Sequence, residues 1–275
     1  MYKILKKEKL NDAVTSFTVS APLVAAKVKA GQFVIIRIDE EGERIPLTVS
    51  DFDRTNGTVT LVVQAVGYTT KKLALMNEGD YISDVVGPLG LPTEFGTPKK
   101  AVVIGGGVGC AIAFPQAKTL HNMGVEVDII AGFRNKDIVI LEDKMRAVCK
   151  NLYITTDDGS YGEKGLVTDV LKRLLSADSY DLVIAIGPIP MMKFVSLATK
   201  EFGVKTIVSL NPIMIDGTGM CGGCRVNVGG EIKFACVDGP DFDGHLVDFD
   251  GLMRRNSYYR EEEDHICRMG EQLNA

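Results

Sequence analysis

No stretch of this 275-residue sequence is long and apolar enough to span a membrane, because glycine interrupts the longest hydrophobic runs. The opening M-Y-K-I-L-K-K-E-K-L lacks the apolar centre of a signal peptide. These two absences argue against a membrane partner and a secretory route and predict a cytoplasmic protein. Basic charge is also scarce. With 31 Lys and Arg against 36 Asp and Glu, net charge −5, there is no surplus to displace counterions from a phosphate backbone, which excludes nucleic acid as a general partner. Small molecules and proteins remain. The chain carries no internal repeat and no low-complexity segment. Cysteines number six: Cys221, Cys224 and Cys236 cluster, while Cys110, Cys149 and Cys267 are scattered. Such usage suggests metal ligation in a reducing compartment rather than a disulfide framework.

What is present suffices for a sizeable core, since 45% of residues are hydrophobic, and the length favours two domains. Up to about residue 86 helical periodicity is nearly absent. Short runs at 14–20, 33–38, 58–66 and 81–85, with one short helix at 70–76, predict an antiparallel β-barrel of about six strands. From Lys100 strands and helices alternate. Strands at 101–104, 125–131, 152–156, 182–186 and 205–209, with helices at 110–123, 141–149, 166–175 and 191–202, predict a doubly wound α/β sheet. The expected division is 1–98, 99–210 and 211–275, the last a cysteine-bearing segment with a charged helical tail.

The stretch D-G-T-G-M-C-G-G-C-R-V-N-V-G-G-E-I-K-F-A-C starts at Asp216. Its cysteines fit the last three places of C-x4-C-x2-C with a distant fourth, the spacing of plant-type [2Fe–2S] sites. Asp216 stands where the first cysteine belongs, and a carboxylate is a harder iron ligand than a thiolate. The metal set read from the sequence is therefore Asp216, Cys221, Cys224 and Cys236. Gly217, Gly219, Gly222 and Gly223 suit a chain wrapping a cluster, which takes up unusual backbone angles and aims N–H groups at sulfur. The alternative is structural zinc on the three cysteines with His245; against it, zinc sites usually pair two C-x2-C knuckles and here there is one.

Gly105, Gly106, Gly107, Val108 and Gly109 join a strand to a helix, the setting in which a helix N-terminus receives a pyrophosphate, although Cys110 occupies the third-glycine place. Gly187 and Pro188 form a second turn at a strand's carboxyl end, expected to face the nicotinamide half. Asp157 and Asp158 end the third strand, where an acid binds ribose hydroxyls and repels a 2′-phosphate; the alternative is that they are ordinary loop carboxylates. Arg134 would favour phosphate. Asp128 falls inside its strand and is discounted. NAD(H) is the nucleotide expected.

A barrel, then G-G-G-x-G and G-P-x-P, then clustered cysteines followed by Asp238, Gly239 and Pro240 resemble the ferredoxin reductase superfamily over nearly the whole chain. Within it the chain resembles the electron-transfer subunits of dihydroorotate dehydrogenase. It is closer to the small subunits of NADH-dependent reduced ferredoxin:NADP oxidoreductase, also described as sulfide dehydrogenase. The aspartate in the cluster motif and the tail F-D-G-L-M-R-R favour that branch. The resemblance implies FAD in the barrel: Pro46, Leu47 and Thr48 match the segment facing the flavin ring, with Thr48 bonded to the isoalloxazine. Val66, Gly67, Thr69 and Thr70 match the phosphate-side turn. The family's arginine appears one place early as Arg44, which in a strand reverses its face. The resemblance further implies an oxidoreductase subunit passing electrons between NAD(H), FAD and the cluster. Its partner would be a larger flavin and iron–sulfur subunit, forming a heterodimer that performs electron bifurcation and reaches ferredoxin. The rival readings are electron supply to a dihydroorotate dehydrogenase and a nucleotide-binding module with zinc.

Overall fold

The computed structural model describes residues 1–273, with side chains to residue 268. The first 89 residues supply seven strands: β1 (Tyr2–Lys9), β2 (Val14–Ser20), β3 (Phe33–Arg37), β4 (Ile45–Asp53), β5 (Thr58–Gln64), β6 (Tyr81–Ile82) and β7 (Asp84–Leu89). Two short helices, α1 (Pro22–Ala25) and α2 (Tyr68–Leu75), complete this part. Side chains alternate along β2 and β5, and the register sets Phe17 against Leu61 and Val19 against Val59, all fully buried. Each such burial contributes roughly 2 kcal/mol. The sheet order is β6-β1-β2-β5-β4-β3-β7, with antiparallel pairing throughout. Its two edges, β6 and β7, are halves of one run interrupted only at Ser83, so the sheet curls into a nearly closed barrel.

The second sheet is built on continuous apolar runs. β8 (Lys100–Gly106) is buried from Ala101 onward, as a central parallel strand must be when helices cover both faces. It is followed by α3 (Cys110–Asn122), β9 (Glu126–Phe133), α4 (Glu142–Arg146), β10 (Asn151–Thr156), β11 (Glu163–Lys164), α5 (Val167–Ala177), β12 (Leu182–Ile186), α6 (Ile189–Glu201) and β13 (Lys205–Ser209). These strands pair in parallel, in the order β11-β10-β9-β8-β12-β13. The direction of winding reverses between β8 and β12, which opens a crevice at their carboxyl ends. α4 is shorter than the expected helix at 141–149. Leu141 adopts a left-handed conformation (φ 57°), and Lys150 already donates its N–H to Val127 on the way into β10.

The remainder returns to this sheet. β14 (Arg225–Val228) and β15 (Glu231–Phe234) form a hairpin closed by Gly229 and Gly230, both at positive φ as a tight two-residue turn demands. β16 (Asp241–Asp243) then adds antiparallel to β13, so the sheet extends beyond residue 210. α7 (Phe249–Asn256) is capped by Asp248, which accepts the Gly251 N–H, and buries Phe249 and Leu252 in the second core. α8 (Arg260–Leu273) runs back to α2. Among the described residues no helix is long and apolar enough to cross a membrane.

Candidate functional site: a cleft between barrel and sheet, and a cysteine loop beside it

The strand period of two decides what β4 presents. Pro46 and Thr48 line a cleft of about 1370 Å³, while Leu47 packs against the barrel core. Phe33, registered opposite Thr48, lines the same cleft. One residue pair farther along, β4 fastens to the other domain: Ser50 Oγ donates to Ala111 O at 2.7 Å, and Lys118 Nζ lies 2.8 Å from Asp51 Oδ1. One strand thereby fixes the barrel wall relative to the start of α3.

The same cleft is lined from the second sheet by Gly106, Gly107, Val108 and Gly109 and by Gly187 and Pro188. The two turns touch. A Cβ on Gly109 would stand 2.4 Å from Ile186 O, and one on Gly187 would stand 3.1 Å from Gly106 Cα. Any larger residue would push them apart. Gly105 is packed behind, against Cys110, whose buried thiol is pushed up to about 12. Asp157 and Arg134 both line the cleft, and the bonds from Asp157 N–H to Phe133 O and from Asp158 N–H to Arg134 O set them side by side beyond the ends of β10 and β9. Asp158 is used locally, its Oδ1 accepting from Ser160 N and Oγ. Asp128, within β9, is buried and accepts from Asn151 Nδ2 and Tyr180 OH at 2.8 and 2.6 Å.

The hairpin explains how distant cysteines meet. Cys224 precedes β14 and Cys236 follows β15, so zipping Arg225 against Phe234 brings them together; Cys236 N then donates to Cys224 Sγ at 3.4 Å. Burial and the adjacent Cys224 hold the Cys236 thiol well above its ordinary range. Cys221 is exposed. Its thiol is lowered, first by the Gly223 N–H, which lies 3.4 Å from Sγ, and then by the Asp216 N–H. The Asp216 carboxyl is also lowered, chiefly by the Thr218 hydroxyl and N–H. The loop thus forms two pairs, Cys224 with Cys236 and Asp216 with Cys221. As placed they do not close on one point: among the described residues no three His, Cys, Asp or Glu side chains group closely enough to hold a metal ion. The chemistry of the set still fits an iron–sulfur cluster, with three sulfurs, one hard oxygen, and backbone N–H groups already directed at the sulfurs. His245 is turned away, its Nε2 lying 3.0 Å from Thr199 Oγ1, so the Cys3His arrangement is not formed.

The iron-sulfur cluster binding domain of dihydroorotate dehydrogenase B matches residues 211–248. A Thermotoga maritima protein, the electron transfer subunit homolog of dihydroorotate dehydrogenase B (NAD(+)), is 49% identical over 261 residues, covering 95% of this chain and 92% of that protein. The chain belongs to the family of dihydroorotate dehydrogenase B electron-transfer subunits and their homologues. Another member, the uncharacterized protein in adh 3′region of Clostridium beijerinckii, is 55% identical over 272 residues, covering 96% of this chain and 92% of it. The fold also superposes, with a TM-score of 0.94 and 46% identity, on a chain of the NADH-dependent reduced ferredoxin-NADP oxidoreductase structure that gave insights into flavin-based electron bifurcation. That alignment covers 100% of this chain and 98% of the other.

In this electron-transfer subunit homologue several expected residues fall outside the cleft lining. Arg44 Nη2 donates to Asp216 O at 3.2 Å, so its shifted position turns it to the cysteine loop. The N–H groups of Val66 and Gly67 both donate to Thr70 Oγ1 at 3.0 Å, closing the start of α2 upon itself, and Thr69 Oγ1 donates to Glu43. Cys267 lies 3.2 Å from Lys71 Nζ where α8 meets α2. The sequence reading missed Asp241. Its carboxylate sits inside the junction of barrel linker, α3 and β13, and no spacing in D-G-P-D-F-D announces it.

Proposed function

We propose that this protein is the cytoplasmic NAD(H)-dependent electron-transfer subunit of a flavin-based electron-bifurcating NADH-dependent reduced ferredoxin:NADP oxidoreductase, working beside a larger flavin and iron–sulfur subunit. The observation that carries the reading is the cleft, which Pro46 and Thr48 of the barrel line together with the turns at Gly106 to Gly109 and Gly187 to Pro188. The cleft is lined from both domains, so the barrel and the nucleotide-binding sheet would each hold one of two planar groups. FAD supplies the exchange between hydride and single electrons, and a [2Fe–2S] cluster carries the single electrons onward.

The chain's own residues orient these groups. Thr48 offers a hydroxyl to the ring, with Pro46 and Leu47 setting its strand and the turn of Val66, Gly67, Thr69 and Thr70 at the flavin's phosphate side. The N-terminus of α3, opening after Gly105 to Gly109, receives the nucleotide pyrophosphate. Asp157 accepts ribose hydroxyls and disfavours a 2′-phosphate by like charge. Asp216, Cys221, Cys224 and Cys236 hold the cluster, and Arg44 ties Asp216 to β4. Support comes from the 46% identity and full-length coverage of the oxidoreductase chain.

A second reading, electron supply to a dihydroorotate dehydrogenase, is favoured by the domain match at 211–248. Purification of the native complex separates them. A partner that couples NADH and reduced ferredoxin to NADP reduction supports the first reading, whereas a partner that oxidises dihydroorotate replaces it with the second.

A further inference from the structure

Asp241 stands where all three parts of the chain meet. β16 pairs with β13 and sets it opposite Ser209. Thr93, between the two sheets, donates to Asp241 Oδ2 at 2.5 Å, and Gln116 Nε2 on α3 donates to the same oxygen at 3.2 Å. On the barrel side, a Cβ added to Gly31 would lie 2.9 Å from Oδ2. Part of the residue reaches solvent, but among the described residues Oδ1 is shut off from it and takes no hydrogen bond of ordinary geometry, although the Ser209 hydroxyl lies close enough to lower the carboxyl, and Gln116 Oε1 has no partner.

Among the described residues, the groups set against this carboxylate are the Thr93 and Ser209 hydroxyls, the Gln116 amide and Gly31, none of them charged. On its own strand, Asp243 is exposed and accepts the His245 N–H. Burial without a cation pushes Asp241 up to about 6. A carboxylate in such surroundings opposes folding whenever it is ionised, and arrangements of this kind concentrate where a charge serves function. Its position supplies the function. Pro240 and Ser209, the neighbour in sequence and the partner across the strands, line the cleft. Phe33, two residues after Gly31, is registered against Thr48. The carboxylate therefore sits directly behind the cleft wall.

We propose that Asp241 sets the reduction potential of the flavin in this cleft, its negative charge opposing the negative charge that the ring acquires on reduction. The proposal rests on the reading that FAD occupies the barrel side of the cleft. Hydride transfer from NADH moves two electrons and one proton to the flavin, leaving NAD+ and the singly deprotonated, anionic reduced ring. Charge balances across the pair, and a net negative charge develops on the isoalloxazine. As a general scale, at an effective dielectric of about 20 a unit charge within roughly 10 Å of a charging group changes its equilibrium by roughly tenfold or more.

The test is spectroelectrochemical titration of the purified FAD-loaded protein, wild type and Asp241→Asn, at pH 8 and pH 5. At pH 8 the variant is expected to accept electrons at a more positive potential, by roughly a tenfold change in the reduction equilibrium. At pH 5, where the carboxyl is protonated, the two proteins are expected to agree. Equal potentials at pH 8 overturn the proposal, and so does a variant that melts at a higher temperature with an unmoved potential, which would confine Asp241 to a structural role. If Asp241→Asn does not fold, Asp241→Ser is titrated in its place: a more positive potential at pH 8 is expected, and an unmoved one is contrary. FAD content is measured first. Folded wild-type protein without FAD would overturn the cofactor reading together with this proposal, whereas equal potentials with FAD bound overturn the proposal alone.

Discussion

Arg44 Nη2 donates to the backbone carbonyl of Asp216 at 3.2 Å, joining the approach to β4, which carries Pro46 and Thr48, to the head of the cysteine loop. The barrel wall and the cysteine loop are thereby held at a fixed spacing by a charged donor.

Arg44→Ala removes that bond at an exposed position, a loss of about 1 kcal/mol. The expected outcome is a cluster lost roughly fivefold faster on exposure to air or chelator, with FAD content unchanged. Visible absorbance against time measures it. Equal rates would mean that the contact does not support the loop.

Asp216 is expected to be the fourth iron ligand. Asp216→Ala should leave the cluster labile, whereas Asp216→Cys should retain a cluster with an altered EPR spectrum and potential, because thiolate is the softer donor. Cys267→Ala should leave iron content unchanged, since Cys267 lies against Lys71 on the α2–α8 contact. Full cluster content in Asp216→Ala would confine Asp216 to the turn it already makes with Thr218.

Asp157 and Arg134 line the cleft side by side, so they compete over a 2′-phosphate. The carboxylate is expected to dominate: flavin reduction should be faster and tighter with NADH than with NADPH. Asp157→Asn should narrow the ratio by roughly tenfold, the scale of one charge contact. Stopped-flow reduction with both nucleotides measures it, and a preference for NADPH in the wild type would assign the choice to Arg134.

The apolar pattern of the chain carried most of the fold. Strands β2, β12 and β13 occupy the residues their β-branched runs indicated, and the change from period two to alternating helices located the second sheet. α4 was overestimated because a left-handed Leu141 leaves no mark in a hydrophobic pattern. The hairpin at 225–234 was legible and was passed over: Gly229 and Gly230 between V-N-V and E-I-K-F are a two-residue turn between strands. The glycine turns were legible because close approach of two backbones excludes Cβ. The assignment of Pro46, Leu47 and Thr48 to a flavin rests on resemblance alone, since by themselves they are an ordinary strand. Asp241 was not legible, because Thr93, Gln116 and Ser209 meet it only in three dimensions.

Asp241 also makes stability depend on pH. Its pKa is raised by burial from 3.8 to about 6, so the folded protein binds more protons than the unfolded chain between those values. Stability therefore falls as pH rises from about 4 to about 6, with the full cost of about 3 kcal/mol present above that window. Asp241→Asn carries no such charge. Denaturant titration should find the variant more stable by up to about 3 kcal/mol at pH 8 and equal to the wild type near pH 4. A variant less stable at pH 8 would mean that the ionised carboxylate is a favourable partner of Thr93 and Gln116.

The central claim is that one chain brings FAD, NAD(H) and an iron–sulfur cluster together at the cleft and its adjoining loop. Anaerobic purification followed by iron, zinc and flavin analysis, with EPR after reduction by NADH, tests it most directly. The account predicts a brown protein with one extractable FAD and a [2Fe–2S] signal that appears when NADH is added. Stoichiometric zinc with neither iron nor flavin would contradict it.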